Sequence, residues 1–248
     1  MGTLEIDAFN YFSVVENGEV RDIRPVKQKA LLALLVVHMN ELVTMDTIVS
    51  GIWPSRVPSH PRKSIQVYVS RLRAILPQTE GRTPPVLQRL SPGYILRIDP
   101  ADVATARFER LTRSGWSLLR ADRLAEASEL FSEAIAYWVA APYSDLTQYD
   151  FAVDERERLE EVWLAAVAGQ AECLLRLGNY RSAIDLLAPL VNRYPLREDL
   201  ATHFMIALSE TGRRGDALFV YERTRSSLDE LGIKVGSALH GVYQNIVA

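Results

Sequence analysis

Residues 62–76 read RKSIQVYVSRLRAIL. Ile65, Val69, Leu72 and Leu76 recur at steps of four, three and four, which places them on one buried stripe of a helix. Pro61 suits the first turn of that helix, where its missing N–H costs nothing. Lys63, Gln66, Val67, Ser70, Arg71 and Arg73 fall off the stripe. The exposed side is therefore basic, with short polar groups and one small apolar residue between the cations.

Working outward, VLQRL, Ser91-Pro92-Gly93 and YILRI read as a β-hairpin with Arg89 near its tip. Upstream, Pro54, Pro58 and Pro61 break the chain into a loop. Before that loop, Thr44 can cap a short helix with Ile48, Val49 and Trp53 on its apolar side. Pro25 opens an earlier helix, in which Ala30, Leu31, Leu34, Leu35 and His38 keep helical spacing. The start, LEIDAFNYFSVV, reads as a strand. Asn17-Gly18 supplies a tight turn, because both central residues of such turns take positive φ, and a second strand ends near Ile23. Strand pair, three helices, hairpin is the order of a winged helix-turn-helix. A basic helix alone is most often a solvated face. Followed directly by a terminal hairpin, it predicts binding to double-stranded DNA, since the arginine fork matches guanine O6 and N7 or a phosphate. Val67 lies one turn before Arg71 and can touch a thymine methyl.

The second half is periodic. Gly178-Asn179-Tyr180-Arg181-Ser182-Ala183 aligns with Gly212-Arg213-Arg214-Gly215-Asp216-Ala217 at an offset of 34 residues, and Leu187 falls onto Tyr221. That is the tetratricopeptide period. Pro195 falls where such a repeat ends its second helix, and an earlier copy runs through Gly115, Ala127, Phe131 and Ala134. About 22 extra residues around Ala141–Val162 are expected to form a loop. Trp116, Trp138 and Trp163 read as core, and Asp154-Glu155-Arg156-Glu157 as a solvated helix face. The expected fold is mainly α with small β-hairpins: a winged helix-turn-helix over residues 1–100, then an all-α tetratricopeptide-like domain over 101–248.

Charge and motif content narrow the function. Residues 1–100 carry 12 Lys and Arg against 9 Asp and Glu; residues 101–248 carry 16 against 22. A weakly basic half joined to an acidic one fits a nucleic-acid reader with a second module. One cysteine, Cys173, and four scattered histidines leave no thiolate or imidazole set for a metal. The sequence has no GxxxxGK, GxGxxG, GxSxG or HExxH. No catalytic residues, metal or cofactor are expected. No run approaches a membrane span, and the acidic start MGTLEIDAFN lacks the features of a secretory signal. A cytoplasmic, nucleoid-associated protein with no membrane partner is expected.

Taken together, KQKALLALLV, GIW, SIQVYVSRLRAIL and SPGYILR in the first half, and FSEAIAYW, RLEEVWLAAVAGQAECLLRLG and YPLREDLATHFMIALSETGRRGDALFVYERTRSSLDELGI in the second, resemble the Streptomyces antibiotic regulatory protein family in its small stand-alone form. The first half also resembles the OmpR/PhoB winged-helix domain. The chain departs from the family pattern at Trp138-Val139-Ala140-Ala141 and at Val235-Gly236. The resemblance implies a bacterial transcriptional activation domain after the winged helix, and an activator of secondary-metabolite gene clusters. It implies a head-to-tail homodimer on tandem direct repeats near a promoter's -35 region, in contact with RNA polymerase holoenzyme. It implies that Val67 and Arg71 read bases, that Lys63, Gln66, Tyr68 and Arg73 hold the backbone, and that the wing reaches the minor groove. A protein-interaction scaffold and a ligand-sensing repressor are the alternatives for the same two domains.

Overall fold

The computed structural model describes residues 4–9, 11–21, 23–76 and 86–248. They form two compact units, Met1–Arg110 with Tyr137–Glu161, and Leu111–Ala136 with Val162–Ala248.

The first unit opens with β1 (Leu4–Asp7), β2 (Ser13–Glu16) and β3 (Glu19–Arg21), an antiparallel sheet in that order. The stretch read as one strand is thus two. The Asp7 carboxylate accepts the Phe9 N–H at 2.8 Å, which turns the chain and sends Phe9 and Phe12 into the core. Asn10 lies outside the described residues. Asn17 and Gly18 take φ of 55° and 81° in the tight turn joining β2 to β3.

Helix α1 (Val26–Val37) is buried on nearly every side, including Leu31, Leu32, Leu34 and Leu35. Strand β4 (Leu42–Thr44) leads into α2 (Met45–Ile52), and the Thr44 hydroxyl caps that helix by accepting the Thr47 N–H at 3.1 Å. Helix α3 spans Pro61–Ile75, with Ile65, Val69, Leu72 and Leu76 all buried. The wing is β5 (Val86–Leu90) and β6 (Gly93–Arg97), and β4 joins it in a sheet ordered β4-β6-β5. Asn40 holds the root of this sheet: its amide accepts from the Ile98 N–H and donates to the Ile98 carbonyl.

Helix α4 (Ala104–Arg120) follows, then α5 (Leu124–Ala136) and α6 (Asp150–Arg176). The extra residues expected as a loop up to Val162 are a loop only as far as Tyr149; Asp150 onward is helical because Ala152, Leu159 and Trp163 form a buried stripe. The loop belongs to the first unit. The Tyr143 N–H donates to the Ala8 carbonyl at 2.8 Å, and the Tyr143 ring stacks on Phe12. Asp145 accepts from Lys29 Nζ at 2.7 Å and from the Phe12 N–H at 3.0 Å. Glu155 is not on a solvated face as expected: it is 8% exposed, and Arg158 bridges it to Glu109. Burial, with Glu155 adding to it, pushes the Tyr143 hydroxyl well above the ordinary phenol range.

The second unit contains the repeat. After α6 come α7 (Tyr180–Arg193), α8 (Glu198–Glu210), α9 (Arg214–Asp229) and α10 (Ser237–Val247). The offset of 34 appears in backbone hydrogen bonds. Gly178 and Gly212 both take left-handed φ, and the N–H after each returns to the carbonyl of Leu174 and Leu208 respectively, both at 2.8 Å. Asp122 repeats this turn without a glycine, with the Arg123 N–H on the Leu118 carbonyl. Ala127, Ala183 and Ala217 are fully buried where helices approach, and Phe131, Leu187 and Tyr221 fill the space between helices. Gly115 and Gly169 press on Phe131: a Cβ at either would lie 2.7 or 2.4 Å from its ring. Trp163 is buried, whereas Trp116 and Trp138 are half-buried. Cys173 is fully buried, and burial pushes its thiol up to about 11.

Candidate nucleic-acid interface

At about 100° per residue, α3 presents three rows of side chains outside its buried stripe. The crest, opposite the core, is Lys63, Val67 and Ser70, all exposed, with Val67 43% exposed. On one flank lie Arg71, exposed, and Tyr68, half-buried and stacked on Trp53 with ring centroids 6.4 Å apart. Trp53 is fixed in turn by Lys27, whose ammonium lies 5.6 Å from its ring and donates to the Ile52 carbonyl. Tyr68 is therefore anchored at the ring.

The other flank, Arg62, Gln66 and Arg73, faces the wing. Arg73 Nε donates to the Leu87 carbonyl at 2.8 Å and ties α3 to β5. Arg62 and Gln66 line a cleft with Arg89, Ser91, Pro92 and Gly93. Of the eight residues predicted from sequence, Gln66 and Arg89 meet in this cleft; Lys63, Val67 and Ser70 share the crest; Tyr68 and Arg71 share the far flank; and Arg73 has a structural partner. Sequence reasoning passed over Arg62. The helical row Arg62–Gln66–Arg73, at steps of four and seven, was the signal that could have found it.

The electrostatics of this surface are one-signed. From Thr47 to Thr79 the chain has no Asp or Glu but holds Arg56, Arg62, Lys63, Arg71 and Arg73. Among the described residues, no carboxylate pairs with Arg62, Lys63, Arg71 or Arg89. Unpaired guanidinium groups beside a hydroxyl, an amide and a small apolar group suit phosphate and base-edge contacts. Among the described residues no cluster of three or more His, Cys, Asp or Glu could hold a metal ion, and no helix is long and apolar enough to cross a membrane.

Comparison with known proteins bears on both units. The family model described as bacterial transcriptional activator domain matches residues 103–247, and that described as transcriptional regulatory protein, C terminal, matches residues 24–96. The transcriptional regulator RedD of Streptomyces coelicolor is 30% identical over 250 residues, covering 100% of this chain and 71% of RedD. The regulatory protein DnrI of Streptomyces peucetius is 28% identical, covering 89% of this chain and 84% of DnrI. The transcriptional regulatory protein EmbR of Mycobacterium tuberculosis is 32% identical over 222 residues, and this chain spans 57% of its length. The solved structure of EmbR in complex with a low-affinity phosphopeptide superposes with a TM-score of 0.93 at 30% identity, covering 100% of this chain and 65% of that one.

Proposed function

The chain belongs to the Streptomyces antibiotic regulatory protein family, and we propose that it acts there as a sequence-specific DNA-binding activator of a secondary-metabolite gene cluster, without enzymatic activity. In this reading residues 1–100 are the DNA-binding domain and residues 101–248 the activation domain. Two copies bind head-to-tail on tandem direct repeats near the -35 region and recruit RNA polymerase holoenzyme.

The observation that carries the reading is the acid-free surface of α3 beside the wing. Arg71 pairs with a guanine edge and Val67 meets a thymine methyl. Lys63, Gln66, Ser70, the Tyr68 hydroxyl and the free nitrogens of Arg73 contact backbone, as does Arg89 from the wing. A module of this size covers roughly 600–1,000 Å² of DNA. That is little for discrimination against a genome, which favours paired copies.

DNA selected from a random pool by the full chain tests this. Recovered sites are expected to contain direct repeats with centres about 10–11 bp apart, one helical turn. Inserting about 5 bp between half-sites rotates one copy to the opposite face and is expected to abolish paired binding. Better binding to an inverted repeat, or indifference to spacing, would refute the head-to-tail arrangement.

A further inference from the structure

Lys27 places its ammonium between two aromatic rings. It lies 5.6 Å from the centre of the Trp53 ring and 6.0 Å from that of Tyr149, and it donates to the Ile52 carbonyl at 2.9 Å. Both rings are within the distance at which an aromatic face attracts a cation. Ile52 ends α2, so the same ammonium also satisfies a carbonyl at the negative end of that helix. Trp53 and Tyr149 are buried and Lys27 is half-buried, which withdraws the cation partly from water and strengthens both attractions.

The contacts continue into α3. Tyr68 stacks on Trp53 with the ring planes 30° apart. Tyr149, Lys27, Trp53 and Tyr68 therefore form one connected row. Its far end is held by the start of α6: the Tyr149 N–H donates to the Leu146 carbonyl, and the Tyr149 carbonyl accepts the Ala152 N–H, both at 3.0 Å. Its near end lies on the flank of α3 that carries Arg71, one turn after Tyr68. The opposite flank is tied to the wing through Arg73 and the Leu87 carbonyl. Helix α3 is thus held from two sides, on one of them by a residue well past the winged helix, between α5 and α6.

We propose that Lys27 and Tyr149 are positioning residues for base reading: by fixing Trp53, and through it Tyr68, they set where Arg71 stands against a base edge. The proposal rests on the DNA-binding reading above and adds to it two residues that lie outside α3 and the wing. Its ground is the difference in range between two kinds of contact. A hydrogen bond to a base edge weakens steeply as its distance and angle depart from the optimum. Attraction between a cation and the phosphate backbone falls off slowly with distance. A small shift of the Tyr68 flank therefore costs base choice while leaving the sequence-independent part of binding almost intact.

The experiment uses the full chain, the DNA it selects, and a scrambled DNA of the same length. Tyr149→Leu removes an aromatic face, and Lys27→Met removes the cation but keeps an unbranched stem. Each is expected to weaken matched DNA about tenfold, the scale of one spoiled base contact, and scrambled DNA by less than about twofold, with the salt slope unchanged. Tyr149→Phe and Lys27→Arg, which keep the ring and the cation, should retain native selectivity. Added to Arg71→Ala, Tyr149→Leu should bring no further loss on matched DNA, because the contact it positions is already gone. Thermal unfolding checks that each variant is folded at the temperature of the titrations. Should Tyr149→Leu not fold, Lys27→Met, at a half-buried side chain, decides alone.

Equal losses on matched and scrambled DNA would mark the row as a support for folding only and overturn the proposal. So would native selectivity in both Tyr149→Leu and Lys27→Met, or a full additive loss in the Arg71→Ala background. A salt slope lowered by about one unit in Lys27→Met would make Lys27 a phosphate contact instead. Relaxed base choice in Arg71→Ala beside a native Lys27→Met sinks the positioning and leaves the DNA-binding reading intact. A native chain that selects no DNA sinks both.

Discussion

On the helices of the second unit, several arginines meet carboxylates within a turn. Arg213 reaches Asp216 at 2.7 Å, Arg225 reaches Glu222 at 2.6 Å, and Arg197 reaches Asp199 at 3.0 Å. On α3 and the wing, Arg62, Arg71 and Arg89 meet none among the described residues. The residue type is the same, and Arg213 and Arg225 are exposed as Arg62, Arg71 and Arg89 are; what differs is the acid content one turn away. Positions three and four residues from Arg71 are Val67, Tyr68, Ala74 and Ile75. Paired arginines neutralise their own surface. Unpaired ones leave a potential that a polyanion can use, and its field is not cancelled locally. The contrast supports the proposal that α3 and the wing read DNA.

The strongest way to break the contrast is to leave every cation in place and move the wing. Gly93→Ala puts a methyl into the Val43 carbonyl, a backbone atom that cannot rotate away. The hairpin must leave β4, at a cost of about 1–3 kcal/mol or more in stability. Specific and non-specific binding should both fall, because Arg89 departs and α3 loses its support. A Gly93→Ala protein with native melting temperature and native affinity would show that the wing is not part of the reading surface.

Asp145→Ala tests the same unit from the other side. It strands the half-buried Lys29 ammonium and the Phe12 N–H, which is expected to destabilise by about 1–3 kcal/mol. Chemical denaturation would read this as a lower midpoint. A fragment ending near Pro100 removes the whole loop and should show the same weakness or worse. A fragment as stable as the first unit in the full chain would mean that the loop only decorates it.

The loop also marks the limit of what sequence could tell. The stripe Ile65–Val69–Leu72–Leu76 and the offset of 34 were legible because helical period and repeat period are local or self-referring signals. The break in LEIDAFNYFSVV was not, because strand-forming residues continue through it. The turn depends on Asp7 capping Phe9, and on Phe9 finding Phe108, Tyr137 and Trp138 far along the chain. The Asp145–Lys29 pair joins residues 116 positions apart, and nothing in either neighbourhood announces the other. Glu155 looked solvated because its sequence neighbours are charged; its burial comes from packing, with Arg158 and Glu109 supplying the compensation. At the interface, residue types on the crest were readable, but the engagement of Arg73 with Leu87 and the cleft position of Arg62 required the wing to be in place.

Within α3, two variants divide the work. Arg71→Ala is expected to cost about 1–3 kcal/mol on matched DNA and to relax base choice at one position per half-site. Lys63→Ala should weaken matched and scrambled DNA alike and lower the salt slope by about one unit. Titrations at several salt concentrations on both DNAs separate the two. Equal losses on both DNAs for both variants would remove the distinction between reading and holding.

The smallest expected effect is the most diagnostic of the contrast itself. Arg213→Ala deletes a guanidinium that faces Asp216 at the start of α9, with both side chains more than half exposed. Exposed pairs of this kind contribute about 0–1 kcal/mol, further reduced by salt. Asp216 keeps a favourable place in the first turn of its helix without Arg213, because the helix N-terminus itself attracts the carboxylate. The melting temperature should therefore barely move. DNA affinity and its salt slope should not change at all, since a charge already cancelled one turn away displaces no counterion from DNA. The same measurement on Arg71→Ala, under the same buffer, supplies the scale. If Arg213→Ala lowers the salt slope as Lys63→Ala does, the second unit touches the DNA backbone, and the division between self-neutralised and open arginines does not describe how this chain binds.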